Sequence, residues 1–201
     1  MKLVLATHNK GKIREFSELL RTFFSQISSA AEEGITEEPA ETGETFFDNA
    51  VIKAKFIAEK LGVCALSDDS GLCVDALGGA PGLHSARYAG EGKGDLANNL
   101  KLLETLQGES NRAAHFFSCI VLFNPFNETA LSGEGKILGR ILEEFDGQKG
   151  FGYDPLFFCD ELGKSFGRAT DEEKNSVSHR RRAVDDLIGK LRESAGFSGD
   201  R

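Results

Sequence analysis

Apolar positions along this chain recur at two different spacings, and the alternation between them lays out the elements. Lys2 to Ala6 is a short apolar run that predicts a strand, and from Gly11 the positions Ile13, Phe16, Leu19, Leu20 and Phe23 repeat as one face of a helix. From Glu44 to Leu61, Phe46, Phe47, Ala50, Val51, Ala54, Ile57, Ala58 and Leu61 again fall at helical spacing, with Gly62 as a stop. Val63 to Leu66 reads as a strand running into SDDSG, and Leu72 to Leu77 as the next extended piece, which places the acidic run at a strand end. After the loop Gly78 to Gly82, a helix from about Asp95 carries Leu96, Leu100, Leu103 and Leu106 on its apolar side. His115 to Phe123 and Ala130 to Leu142 are long extended runs flanking NPFNE, as in a hairpin with a loop longer than the tightest turns. The last helix presents Ala183, Val184, Leu187, Ile188 and Leu191 on one face. The class is mixed α/β with at least one antiparallel strand pair. With no internal repeat and no linker, residues 1–201 are expected to form one domain.

Composition narrows the function classes. The 201 residues are 40% hydrophobic and 28% charged with four prolines, a globular profile that excludes collagen-like and wholly disordered chains. The formal charge of −8 disfavours binding to a nucleic-acid backbone or an anionic membrane, so a polyanionic ligand needs a local basic pocket or a bridging cation. No apolar run approaches the roughly 18 residues of a membrane span, and the start MKLVLATHNKGK is too short in apolar core for a secretory signal, so the expected location is cytoplasmic. Cys64, Cys73, Cys119 and Cys159 lie far apart with no zinc spacing, as reduced thiols do.

Several segments are candidates for chemistry. Thr7 to Lys12 lies between the first strand and the first helix, where backbone N–H groups and the helix dipole favour an anion. It departs from a Walker A loop at Ala6 and Ile13, and a plain polar turn is the competing reading. In SDDSGL, Asp68 and Asp69 are adjacent carboxylates, hard donors suited to Mg²⁺, although a turn between strands would use the same residues. Adjacent strand residues face opposite ways, so one aspartate is expected to do most of the chemistry. Glu41 precedes the long helix as a further metal carboxylate or as decoration of its dipole, and Lys53 within that helix is either a solvated lysine or an anchor for phosphate. Phe151, Gly152, Tyr153 and Asp154 combine an aromatic face with a carboxylate, as base stacking and edge reading require, or form a core aromatic before a turn. Lys174, His179 and Arg180, followed by Arg181 and Arg182, set cations at the wrong end of a helix dipole, which suggests an anionic or carbonyl-bearing ligand. His84 and His115 show no partner pattern.

In order, VLATHNKGK, ETGETFFDNAVIKA, LSDDSGLCVDALGGAPGLHSARYAG, GFGYDPLFF and EEKNSVSHR resemble the inosine triphosphate pyrophosphatase family, also called dITP/XTP pyrophosphatases, across nearly the whole chain. The resemblance implies an elongated mixed sheet with flanking helices forming two lobes around a nucleotide groove, and a homodimer. It implies attack of water on the α-phosphorus of ITP, dITP, XTP or dXTP, with Mg²⁺ as cofactor, keeping these bases out of DNA and RNA. By motif position, Thr7, His8, Asn9, Lys10, Gly11 and Lys12 hold the triphosphate with Lys53, Asp69 is proton acceptor and metal ligand, and Ser70 touches substrate. Glu41 is the second metal carboxylate and Asp68 a further candidate. Phe151, Gly152, Tyr153 and Asp154 hold the base, and Lys174, His179 and Arg180 complete the contacts. This chain departs from the family pattern at His8, where a small residue is usual, and over 124–134. A nucleotide sensor would need no carboxylates for water, a phosphoryl-transfer enzyme would need an acceptor site, and a septum-inhibitor pyrophosphatase would act on dTTP or UTP instead.

Overall fold

The computed structural model describes residues 2–194. Strands β1 (Lys2–Leu5), β2 (Gln26–Ser29), β3 (Ala65–Val74), β4 (Ala113–Asn124), β5 (Thr129–Ile141), β6 (Phe157–Cys159) and β7 (Lys164–Ser165) form one sheet in the order β2-β1-β3-β4-β5-β6-β7. The α-helices are α1 (Lys10–Leu20), α2 (Phe46–Leu61), α3 (Gly94–Thr105), α4 (Asp171–Val177) and α5 (His179–Ser194), and two 3-10 helices span Asp75–Leu77 and Gly82–Arg87. The sheet is mixed: β1 pairs in parallel with β2 and β3, whereas β5, β6 and β7 pair antiparallel. Only residues 125–128 separate the neighbours β4 and β5, so they form the expected hairpin. No helix among the described residues is long and apolar enough to cross a membrane, and all four cysteines are free thiols.

The chain divides into two compact units: residues up to Asp69 with Ser118–Gly135 and the part from Arg180 on, and Ser70–Phe117 with Lys136–His179. In the first unit the pleat separates two cores. Leu3, Leu5, Leu66, Ile120 and Leu122 face Phe16 and Leu20 of α1 and Ala183, Val184, Leu187 and Ile188 of α5. Val4, Ala65, Val121 and Phe123 face Ala50, Ala54, Ile57 and Ala58 of α2 on the other side. The second unit has its own core, in which Leu102 and Leu106 meet Phe116, Phe157 and Phe166. Local signals define the helix ends. Asn9 caps α1 by accepting from the Lys12 amide at 3.1 Å, Thr45 and Asp48 form a reciprocal box on α2, and Gly62 ends α2 at a φ of 62°.

Three sequence expectations change. SDDSG is not a turn, because β3 runs unbroken through Ala65–Val74 and the acidic pair lies inside a strand. Gly71 serves close approach rather than a bend, since a side chain there would collide with the Gly82 carbonyl and the Ser85 hydroxyl. Helix α3 buries only the C-terminal half of its leucine stripe: Leu106 is in the core and Leu103 packs against it, but Leu96 and Leu100 are 65% and 51% exposed, while Asn98, Asn99 and Leu102 turn inward. Asn98 receives the Ala89 amide at 2.7 Å and donates to Ala86 O at 3.1 Å, so satisfied loop backbone outweighs leucine burial. Strand β2 was not expected, because QISS shows neither an apolar run nor clear alternation.

Candidate active site

Pleat alternation decides where the two aspartates of β3 point. Asp68 shares the face of Leu66, toward α1 and α5, and Asp69 shares the face of Ala65, toward α2. On its side, the Asp68 carboxylate accepts from Ser118 Oγ at 2.6 Å and Arg180 Nε at 3.2 Å, and pairs with Lys12 Nζ at 2.9 Å. Arg180 also donates to Glu15 at 2.8 Å, closing a buried chain Glu15–Arg180–Asp68–Lys12. Burial alone would push the Asp68 carboxyl up, but Lys12 and Arg180 hold it well below the usual carboxylate range. Cations at the start of α5 therefore meet the protein's own carboxylates: Arg180 is buried on Glu15 and Asp68, and Arg181 pairs with Asp185.

On the α2 side, Lys53 Nζ lies 3.0 Å from Asp69 Oδ1 and 2.8 Å from Glu41 Oε1, and Asn49 Nδ2 lies 3.4 Å from Asp69 Oδ2. Asn49 accepts the Gly43 amide at 2.8 Å, which fastens the Glu41 segment to the helix. Burial raises the Asp69 carboxyl against the pull of Lys53 and Lys12, making it a stronger proton acceptor than a free aspartate. Burial would lower the Lys53 ammonium, but Asp69 and Glu41 reverse this and raise it, whereas burial wins at Lys12 and lowers it despite Asp68. Two carboxylate oxygens thus converge on one cationic centre, the donor chemistry a hard divalent cation takes. Across both faces, Glu15, Glu41, Asp68 and Asp69 stand against Lys12, Lys53 and Arg180, leaving one negative charge in excess. Among the described residues no three His, Cys, Asp or Glu side chains come together as a group that could hold a metal ion.

Thr7 to Asn9 lead into α1, whose first turn holds Lys10, Gly11 and Lys12, with Asn9 and Lys10 exposed. Thr7 Oγ1 accepts from the Asn9 amide at 3.2 Å. His8 sets Nδ1 2.7 Å from Glu38 Oε1 and Nε2 2.9 Å from Ile35 O, two acceptors that only the imidazolium satisfies together. The Ile35 carbonyl raises this imidazole's pKa, burial lowers it and Glu38 raises it, for a net rise. His8 therefore ties the loop to segment 35–38.

The second unit gathers Phe151, Gly152, Tyr153, Asp154, Lys174 and His179. Asp154 Oδ2 accepts from the Phe151 amide at 2.9 Å and from Lys174 Nζ at 2.6 Å, and that ammonium sits 4.6 Å from the centre of the Phe151 ring. Tyr153 is buried with its hydroxyl donating to Ser85 O at 2.9 Å. His179, 2% exposed, stacks on Phe116 with centroids 4.9 Å apart. Ser70 is half-buried at the first position of this unit.

The sequence model of the Ham1 family matches residues 3–190, which include every site residue described above. The chain belongs to the Ham1 family. It is 50% identical over 186 residues to the dITP/XTP pyrophosphatase of Desulforamulus reducens, covering 92% of each chain. It is 47% identical over 193 residues to that of Haemophilus influenzae, covering 94% of this chain and 98% of the relative. Among solved structures it is similar to the Staphylococcus aureus Ham1 protein, with TM-score 0.84, 36% identity and coverage of 96% and 100%. A HAM1 protein from Coxiella burnetii matches at TM-score 0.85 and 38% identity, covering 96% of this chain and 99% of that one. The expected mixed α/β sheet with flanking helices is thus the fold of this Ham1 family member. Sequence reasoning missed Glu15, Asn49 and Ser118. The signal for Glu15 was a carboxylate beside Phe16 on the inward side of α1; Ser118 sat among apolar β4 residues, and Asn49 beside Ala50 on the small-residue face of α2.

Proposed function

We propose that this chain is a Mg²⁺-dependent nucleoside triphosphate pyrophosphatase that hydrolyses ITP, dITP, XTP and dXTP to the monophosphate and pyrophosphate. The observation that carries the reading is the convergence of Asp69 and Glu41 on one cationic centre beside Lys12. The names of the relatives, dITP/XTP pyrophosphatase, supply the substrate class. We further infer action as a cytoplasmic homodimer with residues 1–201 as one functional domain.

Each group has a role that follows from its contacts. Glu41 and Asp69 would hold the Mg²⁺, which when bound neutralises the triphosphate and polarises its phosphorus. Asp68 is committed to Ser118, Arg180 and Lys12, so it positions Lys12 rather than binding metal. Lys12, Lys53 and the first-turn amides of α1 hold the phosphates, with Thr7, His8, Asn9, Lys10 and Gly11 shaping that turn. Asp69 orients the attacking water and takes its proton, and Ser70 adds a hydroxyl toward the substrate. Phe151 supplies a stacking face, Gly152 and Tyr153 shape that segment, and Asp154 with Lys174 fixes its charge. The buried guanidinium of Arg180 acts through Asp68, which leaves recognition of the 6-oxo group to His179, Lys174 and the 151–154 backbone. A donor facing the 6-amino group of adenine would stay unpaired, costing about 1–3 kcal/mol.

The test is pyrophosphate release from ITP, XTP, GTP, ATP and dTTP with and without Mg²⁺. Metal-dependent release mainly from ITP and XTP is expected. Release from dTTP alone would give the pyrimidine-selective reading, and tight ITP binding without turnover would make the protein a sensor.

A further inference from the structure

Helix α3 lies outside the residues given roles so far, yet its first turns hold both backbone groups of Gly152. Asp95 Oδ2 accepts the Gly152 amide at 2.7 Å, and Asn99 Nδ2 donates to the Gly152 carbonyl at 2.8 Å while also donating to Asp95 O at 2.8 Å. We propose that Asp95 and Asn99 are positioning residues for the nucleobase, fixing the Gly152 peptide and through it the pose of the Phe151 ring. The inference rests on reading 151–154 as the base-holding segment.

The burial pattern of α3 supports a purpose beyond packing. Asn99 is 2% exposed while its neighbours Leu96 and Leu100 face outward, an inversion that costs apolar burial. Its Oδ1 makes no hydrogen bond among the described residues, so the side chain is held inward for its two donor contacts alone. Exchanging Oδ1 and Nδ2 would set an acceptor against two carbonyl oxygens, so the amide orientation is fixed. Gly152 sits at a φ of 60°, in the left-handed region that a glycine enters freely and leaves as freely, and without the two clamps nothing in its own side chain would hold it there. The neighbouring residues are secured separately. Asp154 takes the Phe151 amide, and Ser85 takes the Tyr153 hydroxyl. Gly152 is where the segment would otherwise turn, and the Phe151 ring, pinned at its amide by Asp154, takes its pose from the peptide that follows it.

The test compares Asn99→Leu, Asp95→Ala and Asp95→Asn with the wild type, reading KM and kcat for ITP, the ITP to ATP ratio of kcat/KM, and Tm. Asn99→Leu keeps a similar volume but removes both donors; Asp95→Ala removes the acceptor; Asp95→Asn keeps an acceptor and loses only the charge that favours the helix N-terminus. The expected result is a KM for ITP raised about fivefold to tenfold in Asn99→Leu and Asp95→Ala, with kcat within about twofold and the ITP to ATP ratio reduced several-fold. Asp95→Asn is expected to restore wild-type KM even where its Tm falls, which a purely structural role of the charge would not do. Should Asn99→Leu fail to fold, the two Asp95 variants carry the comparison. Unchanged KM and ratio in folded Asn99→Leu or Asp95→Ala, or an Asp95→Asn that behaves like Asp95→Ala, would overturn the proposal. A wild type inactive on ITP but active on another nucleotide would instead remove the base reading on which it stands.

Discussion

Asp69→Asn is expected to lower turnover of ITP by about 10²-fold to 10⁴-fold, the usual worth of a positioned proton acceptor, while ITP binding stays within a few-fold of wild type. The substitution keeps the shape, and its amide oxygen can still meet Asn49 Nδ2, now 3.4 Å from Asp69 Oδ2. What it removes is the basicity that burial confers on this carboxyl, together with one of two anionic oxygens converging on Lys53. Lys53 keeps Glu41 at 2.8 Å and Lys12 keeps Asp68 at 2.9 Å, so the phosphate-holding cations stay in place. Single-turnover rates and equilibrium titration with ITP separate the two effects. Near-wild-type turnover in Asp69→Asn would remove the assigned role.

The largest effect on stability is expected at Arg180. Arg180→Leu leaves the buried carboxylates of Glu15 and Asp68 without the guanidinium that each contacts, at 2.8 and 3.2 Å. Breaking such a buried chain from one side costs about 3–5 kcal/mol, which in a chain of this length lowers Tm on the order of 10 °C. The pH dependence gives the cause. In the wild type the Asp68 carboxyl is held below its ordinary value, so its contribution is present above the unfolded carboxyl's pKa of about 4 and is lost as pH falls through the lower, folded value. With Arg180 gone, burial is opposed by Lys12 and the Ser118 hydroxyl without the guanidinium and the carboxyl rises, so the deficit of the variant is largest at neutral pH and shrinks toward pH 4. Urea midpoints at pH 7.5 and 4.5 measure this. A deficit that does not change between those values would mean lost packing rather than stranded charge.

How far the sequence disclosed the molecule follows from what kind of signal each part carried. Helices α1, α2 and α5 were legible because their apolar faces repeat at helical spacing, α1 and α5 against one core and α2 against the other, and the β4–β5 hairpin because two long runs flank a polar loop. The strand through Asp68 and Asp69 was not, since SDDSG has the composition of a turn; what keeps it extended is a long-range fit, with Gly71 against Gly82 and Asp68 against Ser118 and Arg180. Helix α3 was legible as a helix, but the inward face of its first turns was not, for a related reason. Leu96 and Leu100 signalled the buried face there, whereas Asn98 and Asn99 turn inward to loop carbonyls and amides distant in sequence. Asp69, Glu41, Lys12 and Lys53 were named from motifs, but their division between two faces of the sheet came from the pleat once the register was known. Arg180 shows the limit of local electrostatics, because the anions that answer it, Glu15 and Asp68, lie 165 and 112 residues away.

Water attack on the α-phosphorus is the central step proposed, and hydrolysis of ITP in ¹⁸O-enriched water tests it most directly. Mass spectrometry of the products is expected to find one ¹⁸O atom in the nucleoside monophosphate and none in the pyrophosphate. Label in pyrophosphate, or in orthophosphate released alongside a nucleoside diphosphate, would place the attack on the β- or γ-phosphorus and contradict it.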